Sequence, residues 1–203
     1  MSKILKSMVL YFSVAFCLCS CTPSVPSANE DYKFYYISEE DMYRAAEYVI
    51  LAVKTDVEEN HFEHVVDPGD RYIGYTLSDV KIEKIIKNEP AKPVKAGEII
   101  KVFEYSFQYT EDSKQKTGNV NYYINMCPGN KYLLYLKYTE GLEDFETVDM
   151  GYDLMGRGYG KINISDEEDI IDSDDERASA KLLEVLSAIR DQALERHKAV
   201  IEK

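Results

Sequence analysis

The chain of 203 residues has no tryptophan, three histidines and four cysteines. Trp is the largest stacking ring, so its absence weakens a case for sugar recognition. Seventeen Tyr remain to supply apolar rings with polar tips. Basic residues are also scarce: 24 Lys and Arg face 37 Asp and Glu, a formal charge of −13. No basic patch interrupts that balance, which disfavours contact with a phosphate backbone and excludes generic nucleic-acid binding. The same charge is repelled by anionic lipid headgroups, so membrane attachment requires a hydrophobic device. Long apolar runs are missing too. Met8 to Leu18 spans 11 residues, about half of what a bilayer-spanning helix needs. What is present is an ordinary 45% of hydrophobic residues. That excludes wholesale disorder and suits one compact domain with extensions, or at most two small ones.

The N-terminus reads as an address. Lys3 and Lys6 precede the apolar run and no acid accompanies them, the order found in secretory signal peptides. The run ends in Leu18-Cys19-Ser20-Cys21, followed by Thr22-Pro23-Ser24. This block resembles the lipobox of bacterial lipoproteins. The resemblance implies cleavage after Ser20 and a diacylglyceryl group on the Cys21 thiol, with acyl chains of the palmitate class. Residues 22–29 (TPSVPSAN) hold two Pro, three Ser or Thr and no charge, as expected of an extended, solvated tether. Two or more acyl chains anchor stably, at about 0.8 kcal/mol per buried CH₂. Loss of Lys3 and Lys6 deepens the charge to −15. Cys17 and Cys19 leave with the leader, so the mature domain would be held by its core rather than by disulfides.

Beyond the tether, Ser38 has the character of a helix N-cap, with Glu39, Glu40 and Asp41 in the first turn where the helix dipole favours acids. A short helix to about Tyr48 is expected, with Met42, Ala45 and Ala46 on one side. Val49 to Val53 reads as a buried strand. Val57 to Arg71 reads as a polar loop with a turn at Asp67-Pro68-Gly69-Asp70. From Ile73 the apolar residues alternate, as in a strand, until Ile85-Ile86 breaks the period and predicts a bulge. Ile99 to Phe107 forms the next strand. Ile100, Val102 and Glu104 share one face, and Ile99, Lys101, Phe103 and Tyr105 the other. Residues 108–120 look polar and mobile. Short strands are expected at Tyr122 to Met126 and Lys131 to Tyr138, with weaker ones around Gly151, Gly156, Gly158 and Gly160. Ser173 and Glu176 fit a capping box. A long helix then runs from Asp174 to about Glu202, with Leu182, Val185, Leu186, Ile189 and Ala193 at helical spacing.

Three blocks carry a second resemblance. They are Tyr48 to Val53, Tyr75 to Lys87 (YTLSDVKIEKIIK), and Lys95 to Phe103 (KAGEIIKVF) joined with Pro128 to Lys137 (PGNKYLLYLK). Their layout is similar to small exported bacterial domains with an OB-like barrel, of the netrin-module and tissue-inhibitor type. The implied fold is mainly β with α additions: a small antiparallel OB-like barrel, a short N-terminal helix and a long C-terminal helix. Leader (1–20), tether (21–31), barrel domain (32–165) and acidic segment with helix (166–203) follow in order. The resemblance supplies no catalytic residues. Closing five or six short strands into a barrel removes exposed edges.

Candidate chemistry is sparse. His61 and His64 lie near Glu59, Glu63 and Asp67, and Zn²⁺ accepts such ligands. A polar loop fixes no third ligand, so a solvated loop is the plainer reading. His197 stands among charges and reads as a surface residue. Cys127 could act as a nucleophile with His61 or His64 as base, although a small buried side chain at a strand end suits it better. Gly156-x-Gly158-x-Gly160 lacks the strand-before, helix-after setting of a nucleotide fingerprint and reads as a flexible turn. Asp166 to Glu176 packs eight acids into eleven residues. Ca²⁺ would accept oxygens there, but the spaced ligands and central Gly of an EF-hand are missing. No metal, cofactor or enzyme activity is therefore assigned.

The expectation is an exported lipoprotein, outside the cell and held to the cell membrane through Cys21, acting as a binding or structural module. Its partner would be a protein or peptide, not a nucleic acid. The residues carry no signal of oligomeric state. An inhibitor or immunity-type role is the alternative, and a hydrolase using His61, His64 and Cys127 is a weaker one.

Overall fold

Two alternating sets of apolar side chains on the same strands organise the fold. In the computed structural model, strand β1 (Tyr48–Val65) sends Ile50 and Ala52 to one side and Val49 and Leu51 to the other. Strand β6 (Lys131–Thr139) does likewise, with Leu134 and Leu136 against Leu133 and Tyr135. Both faces are buried, so these strands read as nearly continuous apolar runs. The structure describes residues 38–65, 71–119, 123–141, 149–165 and 180–203, with the backbone alone at 71 and 180–182. All belong to one compact unit, Tyr32–Lys203.

Five strands close a ring. β1 pairs with β2 (Arg71–Lys87), β2 with β3 (Ile99–Glu104), β3 with β7 (Gly151–Leu154), β7 with β6, and β6 returns to β1. Four seams are antiparallel. The β3–β7 seam is parallel and short, pairing Val102 with Tyr152 and Phe103 with Asp153. β8 (Lys161–Asn163) continues along the β6 edge after β7. The architecture is the expected one, mainly β with an OB-like barrel, a short first helix and a long last helix. Ile82, Ile100, Val102, Leu134 and Leu154 fill the inside. The bulge at Ile85-Ile86 is present: Val49 faces Lys87 and Ile50 faces Ile85, leaving Ile86 as the extra residue.

The second core lies outside the ring. Helix α1 (Glu39–Ala45) presents Met42, and Ala46 follows it into the same layer. The Ser38 hydroxyl accepts from the Asp41 N–H at 3.2 Å, which confirms the cap. At the other end the Lys87 ammonium donates to the carbonyls of Tyr43 and Ala46, so both helix ends are satisfied. Helix α2 (Ala180–Ile201) lays Leu186, Ile189 and Ala193 on Val49, Leu133 and Ile162. The predicted start of this helix, the Ser173 cap and the run Asp166 to Glu176 lie outside the described residues, as do the leader, Cys21 and the tether.

Several expectations are corrected. Residues 57–65 are strand, not loop: β1 runs on with β2 past the barrel and forms a two-stranded arm. A register break between Lys54 and Glu58 marks its base. There Lys54, 1% exposed, donates to the carbonyls of Thr55 and Val57 and to the Glu58 carboxylate, which satisfies the polar groups released by the break. Residues 106–119 are not a mobile stretch but a hairpin, β4 (Ser106–Glu111) and β5 (Lys114–Asn119). Its two-residue turn puts Asp112 and Ser113 at positive φ, which suits the twist of the strands. Of the strand expected at 122–126, one bridge at Tyr123 exists among the described residues. The glycine-rich turn is close-packed rather than flexible. Gly158, at φ +114, would place a Cβ 2.4 Å from the Tyr123 ring.

A polar pair sits in the barrel. Glu104, fully buried, accepts from the Ser78 hydroxyl, the Tyr123 hydroxyl and the Met126 N–H. Lys161, 2% exposed, donates to the Ile124 carbonyl and lies 4.6 Å from the Tyr123 ring centre. Burial pushes the Glu104 carboxyl up, and Lys161 opposes that. The pair holds segment 123–126 against the barrel.

Candidate functional site

The arm has two unlike faces. On strand β1, positions three apart point to opposite faces. Asn60, Phe62 and His64 therefore share one face, and Glu59, His61 and Glu63 the other. The β4–β5 hairpin covers part of the first face and leaves Phe62 48% exposed. Phe107 lies flat over Gly74 and Gly118, where added Cβ atoms would come within 2.6 and 2.3 Å of its ring. The Asn60 amide makes two hydrogen bonds with the backbone of Gln108, at 2.8 and 2.6 Å. His64 stacks on Tyr72 at 4.6 Å, and Tyr72 on Tyr109 at 4.2 Å.

The second face continues onto the outer side of β2 and β3, where Tyr75, Leu77 and Phe103 are buried and His61 is half-buried. The His61 ring lies parallel to Tyr75, 4.9 Å between centres and 10° between planes. Tyr75 meets Phe103 edge-on at 5.3 Å, and with Leu77 these rings form a small core. Segment 149–151 borders it. Gly151 fits there because a Cβ would stand 3.0 Å from both the Phe103 ring and the Lys101 carbonyl. The Tyr75 hydroxyl donates to Asp149 Oδ2 at 2.7 Å.

Charges surround the rings. Lys101 Nζ donates to Glu59 at 2.5 Å and to Asp79 at 3.3 Å. The Glu59 hydrogen bond raises the Lys101 pKa, with Asp79 adding to it and desolvation opposing it. His61 Nε2 lies 3.9 Å from Glu59 Oε2 and 3.7 Å from Asp149 Oδ2, so two carboxylates converge on one ring edge. That nitrogen is shielded from solvent and has no hydrogen-bond partner. Met150, 61% exposed, stands beside Asp149, and Ile99, 56% exposed, begins β3. Such a surface can stack a planar group and accept hydrogen bonds from it. It offers no nucleophile.

The predicted site residues fare unequally. His61 and His64 are on a strand and point to opposite faces, so they do not form a ligand pair. Among the described residues no group of three or more His, Cys, Asp or Glu side chains is placed to hold a metal ion. Cys127 is half-buried in the loop entering β6, with its N–H donating to the Tyr132 hydroxyl at 2.7 Å. Because the histidines point to opposite faces, at most one of them could serve Cys127 as a base.

His197 is a plain correction: it is buried, 5% exposed. Its Nε2 lies 3.3 Å from Glu39 Oε1, which also accepts from the Tyr135 hydroxyl at 2.8 Å. Arg196 donates to Glu39 Oε2 at 2.7 Å, and the Glu39 N–H donates to Gln192 at 3.0 Å. Burial lowers the His197 pKa. Glu39 pulls it upward, and Arg196 pushes it down. The signal was in the sequence: Ile189, Ala193 and His197 recur every four residues along the apolar stripe of α2. Asp149 gave no such signal, because it meets His61 across nearly ninety positions of chain.

Comparison with protein-family models, with curated proteins and with solved structures finds no match to the chain.

Proposed function

We propose that this protein is an exported lipoprotein, anchored at the cell membrane by acyl chains on Cys21, whose barrel domain is a binding module for a protein or peptide. The observation that carries the binding part is the face of β2–β3 and the arm, where the half-buried His61 ring meets Glu59, Asp149 and Lys101. OB barrels bind ligands on the face of their second and third strands, between the first hairpin loop and the loop before the last strand. Here those borders are the β1–β2 arm and segment 149–151. That is analogy of fold, and the residues give it chemical content. The acidic balance argues against the oligonucleotides that many such barrels take.

The anchoring part is supported by the lipobox resemblance at Leu18 to Cys21 and by the uncharged tether after it. No helix among the described residues is long and apolar enough to cross a membrane. The test is metabolic labelling with palmitate together with detergent phase separation. The wild-type chain is expected to take label and enter the detergent phase. Cys21→Ala is expected to lose the label and retain its leader. A wild-type chain without label that stays in the aqueous phase refutes the anchor. Crosslinking in native membranes tests the module, and a chain that crosslinks to nothing refutes it.

A further inference from the structure

We infer that the outer edge of strand β1 in the arm takes up an extended basic segment of a partner protein as an added strand. This rests on the binding-module reading and gives that module a ligand class.

The edge comes first. From Tyr48 to Val53, β1 lies between β2 and β6. Lys54 then ends that second seam through backbone hydrogen bonds with Gly129 and Asn130. From Glu58 to Val65, β1 still pairs with β2, but no described strand pairs with its other side. The β4–β5 hairpin reaches β1 there through the Asn60 side chain, not through a ladder. In an antiparallel pair, alternate residues turn their N–H and C=O away from the partner strand. The outer side of β1 is thus a row of backbone donors and acceptors, with which an extended chain can pair. Glu58, Glu59, Asn60, Phe62 and Glu63 are all exposed along it.

Charge selects the occupant. Asp56, Glu58, Glu59 and Glu63 stand on this strand, and no Lys or Arg follows Lys54. The paired stretch of β2, Arg71 to Ser78, has no acid. The acids are therefore gathered on the strand that carries the edge. Lys54 answers Glu58 and Lys101 answers Glu59, whereas Glu63 has no ion pair among the described residues. A second copy would bring the same acids to both sides of the seam, and like charges across a pair destabilise it. Acids on an edge strand block that pairing and admit a strand of opposite charge.

Alternation sets the pattern of the incoming strand. Glu59 and Glu63 share one face with His61 between them, so basic residues at the same spacing on the added strand meet both acids. Phe62 points to the other face, 48% exposed, and gives its ring to an apolar residue placed between the basic ones.

The test uses the full chain in non-ionic detergent and fluorescein-labelled peptides. The basic peptide is Thr-Lys-Val-Thr-Val-Lys-Thr, which reads the same in both directions and so serves either strand polarity. Its acidic counterpart is Thr-Glu-Val-Thr-Val-Glu-Thr. Two further basic peptides are N-methylated, one at both valines, the other at both lysines and the central threonine. Anisotropy is expected to show the basic peptide bound about ten-fold more tightly than the acidic one. One N-methylated peptide is expected to lose about ten-fold and the other to keep its affinity, because an added strand uses the N–H groups of one side only. Glu63→Lys is expected to weaken the basic peptide about five-fold and to strengthen the acidic one. Thermal melts establish that this variant is folded. Equal affinity for the basic and acidic peptides overturns the proposal, as does unchanged affinity in folded Glu63→Lys. Equal binding of both N-methylated peptides overturns the added strand. A chain that elutes as a dimer and binds no peptide assigns the edge to a second copy and overturns the basic segment. Crosslinking in native membranes separates the two levels. A partner retained by Glu63→Lys removes the strand site and leaves the module standing. No partner for the wild type removes the module itself.

Discussion

The molecule holds two clusters built from the same parts and used differently. Around His197 stand a carboxylate, Glu39, a tyrosine hydroxyl, Tyr135, and a cation, Arg196. Around His61 stand carboxylates Glu59 and Asp149, a tyrosine, Tyr75, and a cation, Lys101. The first cluster is closed. Glu39 is 3% exposed and holds three side chains from two different elements. The second is half-open, and its carboxylates surround a nitrogen they do not bond. The difference lies in burial and saturation, not in residue type. A closed, saturated cluster fastens α1 and α2 to the barrel. A cluster at a half-exposed edge keeps its groups near water and fastens less.

Mutation can break that comparison, and the largest effect is expected at Glu39. Glu39→Ala strands the Tyr135 hydroxyl and His197 in a buried place and removes the partner of Arg196. A loss of about 3 kcal/mol is expected, read from the urea midpoint with unchanged slope. His197→Ala removes a buried ring from the same cluster and is expected to cost about 2 kcal/mol by the same measurement. If either change is neutral, the cluster is not the fastening that its geometry suggests.

Acid sharpens the contrast. The folded pKa of His197 is lowered, mainly by burial, so the unfolded chain binds its proton first. The stability linked to this group is complete above about pH 6.5 and falls as pH drops from there toward the folded value. The slope is at most about 1.4 kcal/mol per pH unit for one proton. Urea melts between pH 7.5 and 5 should show the fall, and His197→Phe should flatten it. A wild-type profile level through that window refutes the assignment.

The smallest stability effects belong to the open cluster. His61→Ala and Asp149→Asn are expected to change stability by no more than about 0.5 kcal/mol, because both side chains are about one-third exposed. Crosslinking to a partner in native membranes should fall in the same variants. A variant that loses stability and keeps its partner would reverse the roles of the two clusters.

Much of the barrel could be read from residues whose pattern reflects burial. Alternation gave β2 and β3, the double Ile gave the bulge, and Ser38 followed by three acids gave the α1 start. The arm was missed for a physical reason. Its residues, such as Glu58, Glu59, Asn60 and Glu63, are exposed, so the chain carries no apolar alternation there. The β4–β5 hairpin was missed because its turn is Asp112-Ser113 rather than a Gly-containing pair, and because β5 (KQKTGN) has no large apolar residue. What holds that hairpin is Phe107 set over two glycines, a relation between distant positions that no local pattern records. The candidate site was half legible. His61 and Glu59 were marked, but for a metal in a loop. Lys101 was assigned to a strand face, Tyr75 only opened one of the three blocks, and Asp149 was not marked.

The fastening of α1 also gives the domain a mechanical direction. A pull applied at Ser38 reaches helix α1 at Glu39, one residue inside the helix cap. That residue is bound by Arg196 and His197 from α2 and by Tyr135 from β6. A pull from the N-terminal side is therefore shared at once between the last helix and a central strand of the barrel. The arm contributes no side chain to that fastening, so such a pull would bypass the groups around His61.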